Sequence, residues 1–166
     1  MVLPNTYTEV NETGCCPVPN IKDWDRKRVV FENKNFVRMY TKSFMHIPIN
    51  MAKVMTALSE LVREAKAEMP ATQGMILSRD ISAWKAEQLY AVAEPIEGAD
   101  NVVLNGIFLT RVFEGPYQKA KDWYEMTLNY VQQQGYKAKN VYFFYTTCPK
   151  CAEHYGKNYT IVLAEI

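Results

Sequence analysis

Two stretches of this chain repeat one another, and the repetition limits the fold more than any other feature. TKSFMHIPINMAKVMTALSELV begins at Thr41, and TRVFEGPYQKAKDWYEMTLNYV begins at Thr110. Each carries a Thr, a basic residue and a Phe, then a Pro followed at the same distance by Ala-Lys. Pro48, Ala52 and Lys53 thus match Pro116, Ala120 and Lys121, with one extra residue in the first turn. Pro suits the first turn of a helix, where its missing N–H would have no partner anyway. After Pro48, Met51, Val54, Met55, Leu58, Leu61, Val62 and Ala65 recur at helical spacing. After Pro116 the series is Tyr117, Ala120, Trp123, Tyr124, Thr127 and Val131, with Gly135 placed to end the helix.

Before each predicted helix lies a segment rich in β-branched and aromatic residues, FVRMYTKSF or VVLNGIFLTRVF. Two further strand-like segments follow each: GMILS and AEQLYAVAEPI, then NVYFFYTT and NYTIVLAEI. The expected fold is α+β, a duplicated β-α-β-β unit forming an antiparallel-rich sheet with two helices on one face. Residues 1–166 form one domain: an N-terminal arm over 1–35, a first repeat over 36–97 and a second over 101–166. A cleft along the pseudo-twofold axis is the expected ligand site.

A chain of 166 residues can bury a core without covalent staples. Its formal net charge of +1 and its 22% charged residues give neither a nucleic-acid footprint nor a polybasic membrane patch. No basic start followed by an apolar block marks a secretory signal, and no apolar run is long enough to span a bilayer. The expected setting is cytoplasmic, where four cysteines are reduced thiols or metal ligands. The partner expected is a small molecule, and a second copy of the chain is the other partner left open.

Glu114 lies between a predicted strand and the second helix. It either complements the positive end of that helix or stands at the cleft mouth, where a carboxylate accepts a cation or activates water. His46 holds the corresponding place in the first half, as a structural residue or as a base facing Glu114 across the cleft. His46 and Glu114 are therefore the candidate catalytic pair. No G-x-S-x-G elbow and no Gly-rich phosphate loop occurs.

Aromatic residues form a third group. With 13% aromatics and eleven tyrosines, the chain has enough for both a core and a pocket wall. Aromatic faces beside a carboxylate attract cations. The candidate ligand-binding set is Tyr90, Tyr117, Trp123, Tyr124 and Tyr145, with Glu165 as an acidic partner; Glu87 and Glu94 are the alternatives to Glu165.

TTCPKCAEHYGKNY, from Thr146, joins the last two predicted strands as a loop and holds a C-x-x-C. That spacing turns two sulfurs toward one ion. Neighbouring cysteines rarely give both sulfurs to one ion, so the predicted metal set is Cys16, Cys148, Cys151 and His154, around a structural zinc. Unlinked reduced thiols are the alternative. A redox role is the weakest reading, because no helix is expected to start at the motif and lower a thiol pKa. Trp24, Pro17 and Pro19 predict an arm that packs down.

The duplicated plan, with FEGPY opening an aromatic-rich second helix, resembles the gyrase-inhibitor-like (GyrI-like) small-molecule-binding superfamily, which includes effector-binding domains of multidrug-responsive regulators. More narrowly, TGCCPVPNIKDWD, SFMHIPINMAKVM, FLTRVFEGPY and YFFYTTCPKCAEHYGKNYTIVLAEI look like a bacterial family labelled hydrolase, from Thr13 to Ile166. The resemblance implies a cleft for flat, often cationic organic molecules, and in some relatives hydrolysis of strained electrophilic rings. No helix-turn-helix candidate precedes the domain, so transcriptional control is not implied. Three functions stand at this stage: ligand binding, hydrolysis through His46 or Glu114, and a non-enzymatic module with a thiol or zinc cluster.

Overall fold

The computed structural model describes residues 3–166. The elements run β1 (Arg28–Phe44), β2 (Ile47–Pro48), α1 (Met51–Glu64), β3 (Ile76–Ser82), β4 (Lys85–Ala91), β5 (Asn101–Glu114), α2 (Ala120–Gln133), β6 (Val141–Tyr145), α3 (Pro149–Tyr155) and β7 (Tyr159–Glu165). Each half thus has the order strand, helix, strand, strand, with β2 and α3 added.

The antiparallel-rich sheet expected from the sequence closes into a six-stranded antiparallel barrel. Its order is β1-β4-β3-β6-β7-β5, and β5 pairs back onto β1. Closure follows from strand length. β1 pairs with β4 from Phe36 to Lys42, and β5 pairs with β7 from Phe108 to Glu114. The remaining length of each strand, Arg28 to Val37 and Asn101 to Leu109, finds its partner in the other. β1 has to bend to serve both neighbours, and its register shifts between Phe31 and Lys34, where Asn33 takes φ +49°. Gly106, opposite Phe31, takes φ +137°, a conformation open essentially to glycine alone.

Side-chain alternation divides the barrel into an inside and an outside. Phe31, Phe36, Leu77, Leu89, Phe108, Phe144, Ile161 and Leu163 fill the interior. The outer face carries Val37, on which α1 packs through Leu58 and Val62. Leu109, Phe113, Val162 and Ala164 on the same face meet α2 through Trp123 and Val131. Of the helical faces read from the sequence, Leu58 and Val62 on α1 and Trp123, Thr127 and Val131 on α2 are buried, whereas Ala65, Tyr117 and Tyr124 are exposed. Neither Pro48 nor Pro116 opens its helix, however: Pro48 pairs with Ser43 in β2, and Pro116 is extended before a 3-10 turn.

The arm is shorter than expected, because β1 begins at Arg28 rather than near residue 36. Val29 and Phe31 face the core while Arg28, Val30 and Glu32 turn away, which makes RVVFE the start of a strand. The arm packs down as Trp24 suggested. Trp24 is fully buried, its Nε1 donates to the Asn5 carbonyl at 3.0 Å, and the Thr110 hydroxyl donates to the Trp24 carbonyl.

The two-residue turn joining Phe44 to Ile47 places Met45 at φ +49° and His46 at φ +68°. Both φ values are positive, as in a type I′ hairpin, which favours Asn-Gly. Replacing Met45-His46 with Asn-Gly is expected to raise unfolding stability by about 1 kcal/mol in urea melts. An unchanged or lower midpoint would show that the turn is not strained.

Candidate functional site

The two helices cover β1 and β4 on one side and β7 and β5 on the other, leaving β3 and β6 between them. These central strands meet at one pair, Ser78 opposite Phe143. Ser78 and Asp80 of β3 and Phe143 and Tyr145 of β6 share the outer face, so they lie together on the strip of that face flanked by α1 and α2, termed the groove below.

A buried polar relay supports this floor. The Ser78 hydroxyl donates to Gln88 Oε1, and Gln88 Nε2 donates to Thr41 Oγ1 at 3.2 Å. Gln88 and Thr41 are almost fully buried and mutually satisfied, as buried polar groups must be. Phe143 and Tyr145 stack at 5.9 Å with an interplanar angle of 13°. Burial, reinforced by the Asp80 charge, pushes the Tyr145 phenol up to about 12, so it remains a neutral donor. At the groove's end, His46 Nδ1 lies 2.9 Å from Asp80 Oδ2, with both side chains more than half exposed.

The predicted site residues are only partly brought together. Tyr145 is on the floor. Trp123 is buried under α2, stacked on Phe113 at 5.7 Å. Tyr90 is half-buried in the cluster beneath α1. Tyr117 and Tyr124 are exposed. Glu165 faces the opposite side of β7 from Ala164, where it accepts from Asn140 Nδ2 at 2.8 Å. His46 and Glu114 do not share a site: Phe113 turns toward α2, so Glu114 points to the other face. There it lines an open depression of about 410 Å³ with Ile21, Lys22, Asp25, Val112 and Tyr159. A smaller concavity, of about 120 Å³, lies beside Leu3 and Arg28. Ser78, Asp80, Phe143 and Gln88 were missed as site residues. The alternation in YFFY was the available signal for Phe143 and Tyr145, but which pair faced the groove depended on register.

Away from the groove, the arm meets the start of α3 at a thiol cluster. Cys15, Cys16, Cys148 and Cys151 place their sulfurs within 4.8 Å of one another, and such a donor set could hold a metal such as zinc. Cys16 Sγ is 3.7 Å from each of Cys15 Sγ and Cys148 Sγ. The predicted ligand set needs one correction: Cys15, not His154, is the fourth member. His154 Nε2 instead lies 3.0 Å from Glu12 Oε2. The neighbouring pair is usable because the Thr13 hydroxyl accepts from the amides of both Cys15 and Cys16 at 3.2 Å, folding the chain back.

A second correction concerns the C-x-x-C, which opens α3 rather than a loop. Cys148 is the N-cap, Pro149 occupies the first turn, and Gly156 at φ +73° ends the helix. The Thr13 hydroxyl, bonded to Cys151 Sγ at 3.3 Å, has the largest influence in drawing that thiol down to about 6, against the effect of its burial. Burial pushes Cys16 well up.

The fold defines an α+β barrel protein whose outer face brings Phe143, Tyr145 and Asp80 together. The sequence model of the Bacterial hydrolase family matches residues 6–166, and the chain belongs to that family. A comparison with curated proteins finds no similar sequence. Among solved structures, an uncharacterized conserved protein from Listeria innocua is 12% identical, with a TM-score of 0.59 over 84% of this chain and 92% of that one. A hydrolase encoded by lin2189 from Listeria innocua is 13% identical, with a TM-score of 0.58 over 86% and 92%. SAV2435 bound to tetraphenylphosphonium is 11% identical, with a TM-score of 0.52 over 84% and 92%. These likenesses establish a shared fold. Among the described residues, no helix is long and apolar enough to cross a membrane.

Proposed function

We propose that the protein binds a small aromatic or cationic organic molecule in the groove between α1 and α2. The observation that carries this reading is the floor itself: the stacked Phe143–Tyr145 pair beside the half-exposed Asp80 carboxylate, with Phe143 also packed on the cluster beneath α2. Aromatic faces supply area and cation attraction, and the carboxylate supplies charge. A relative of the same fold, SAV2435, was solved with an aromatic cation, which supports the ligand class. The groove lies between the two strand-helix-strand-strand halves, the arrangement expected of a duplicated GyrI-like binder.

Tetraphenylphosphonium is expected to raise the melting temperature saturably. Asp80→Asn and Tyr145→Ala should each weaken its affinity by about tenfold, or roughly 1.4 kcal/mol. Unchanged affinity in both variants, with folding retained, would move the site elsewhere.

A second reading, hydrolysis of a small electrophilic substrate, is favoured by the His46–Asp80 contact at the groove's end. A carboxylate that orients a histidine is the arrangement of a general base. Turnover of an ester or strained-ring panel that disappears in His46→Ala, with tetraphenylphosphonium binding retained, would establish this activity. Turnover that persists in His46→Ala would remove His46 from it.

A further inference from the structure

We propose that Cys15, Cys16, Cys148 and Cys151 form a closed tetrahedral zinc site that staples the N-terminal arm to the start of α3. The spacing of the sulfurs makes the first argument. Zinc–thiolate bonds of about 2.3 Å give a tetrahedron with edges of about 3.8 Å. Cys16 Sγ stands 3.7 Å from both Cys15 Sγ and Cys148 Sγ. A disulfide would need about 2.05 Å.

The surroundings make the second argument. Two thiols come from the arm and two from the start of α3, far apart in sequence, as expected of a site that ties two segments together. Groups around the sulfurs are already oriented: the Cys148 amide donates to Cys16 Sγ at 3.5 Å, and Thr13 contacts Cys151 Sγ. The Tyr155 hydroxyl donates to the Cys16 carbonyl at 2.8 Å, and the Tyr7 hydroxyl donates to the Thr146 carbonyl at 2.6 Å, so both segments are braced on each side of the cluster. Four thiolates fill all four zinc positions, leaving none for water or substrate; the role is structural. On binding, each thiol that is still protonated releases its proton to solvent.

The test is the metal content of the full chain purified without chelator. About one zinc per chain is expected, falling by more than about tenfold in Cys15→Ser and in Cys151→Ser and unchanged in His154→Ala. Should the serine variants fail to fold, the wild-type chain reconstituted with cobalt supplies the second readout: the intense visible bands of a tetrahedral tetrathiolate. Chelation should also make the four thiols reactive toward a disulfide reagent and speed proteolysis of residues 8–18. Iron in place of zinc, stoichiometric zinc retained in Cys15→Ser, loss of zinc in His154→Ala, or metal-free protein with native disulfides would each overturn the proposal.

Discussion

Trp24→Ala is expected to lower unfolding stability by about 3–5 kcal/mol, one of the largest losses for a single truncation in this chain. The side chain is fully buried within the interior cluster that includes Val29, Phe31, Phe36 and Met75. Removing the indole leaves a cavity that rigid strands cannot collapse, and it takes away one of the Asn5 carbonyl's two donors, leaving Asn20 Nδ2 at 2.9 Å. Trp24→Phe restores most of the volume but not the N–H, and should cost about 1–2 kcal/mol. Urea unfolding followed by circular dichroism separates the two variants. A loss below about 1 kcal/mol for Trp24→Ala would show that the arm rests on the barrel rather than completing its core.

The second large effect is expected at Glu87, whose side chain is only 4% exposed. Its carboxylate takes Arg79 Nε at 2.8 Å, directly across the β3–β4 ladder, and Arg38 Nη1 at 3.5 Å. Glu87→Leu removes the shared partner. Arg38 keeps Asp100, whose Oδ2 lies 2.9 Å from its Nε, whereas Arg79 keeps Asn140 Oδ1 at 3.4 Å and the ring of Tyr142, neither of them charged. Breaking a buried pair costs about 3–5 kcal/mol, and partial exposure of both arginines places this case near 3. The double variant Glu87→Leu/Arg79→Met should recover most of that loss, because apolar groups of similar volume replace a buried pair at little cost. If the double variant is no more stable than the single one, the loss comes from packing and not from an unpaired charge.

What was legible in the sequence were features fixed by local pattern. Leu58 and Val62 mark the buried face of α1 by their spacing, and Trp123, Thr127 and Val131 do so for α2. Features set by pairing between distant strands were not legible. Closure of the barrel depends on which partner the first half of β1 takes, and a single strand pattern does not encode that choice. The same limit hid the groove: Glu114 and Glu165 are polar residues at strand ends, and only register sends both away from the face that Tyr145 occupies. α3 was legible in principle, since Pro149 and Gly156 bracket it, but a helix of one to two turns gives little periodicity to read. His154 was the reasonable fourth ligand from spacing; the Thr13 turn that gathers Cys15 with Cys16 is a contact of the folded chain.

The groove is the central claim, and the electron density of crystals soaked with tetraphenylphosphonium tests it most directly. The account predicts the cation between α1 and α2, its rings against Phe143 and Tyr145 and its charge near Asp80. Density confined to the depression beside Glu114, or no density at saturating concentration, would contradict it.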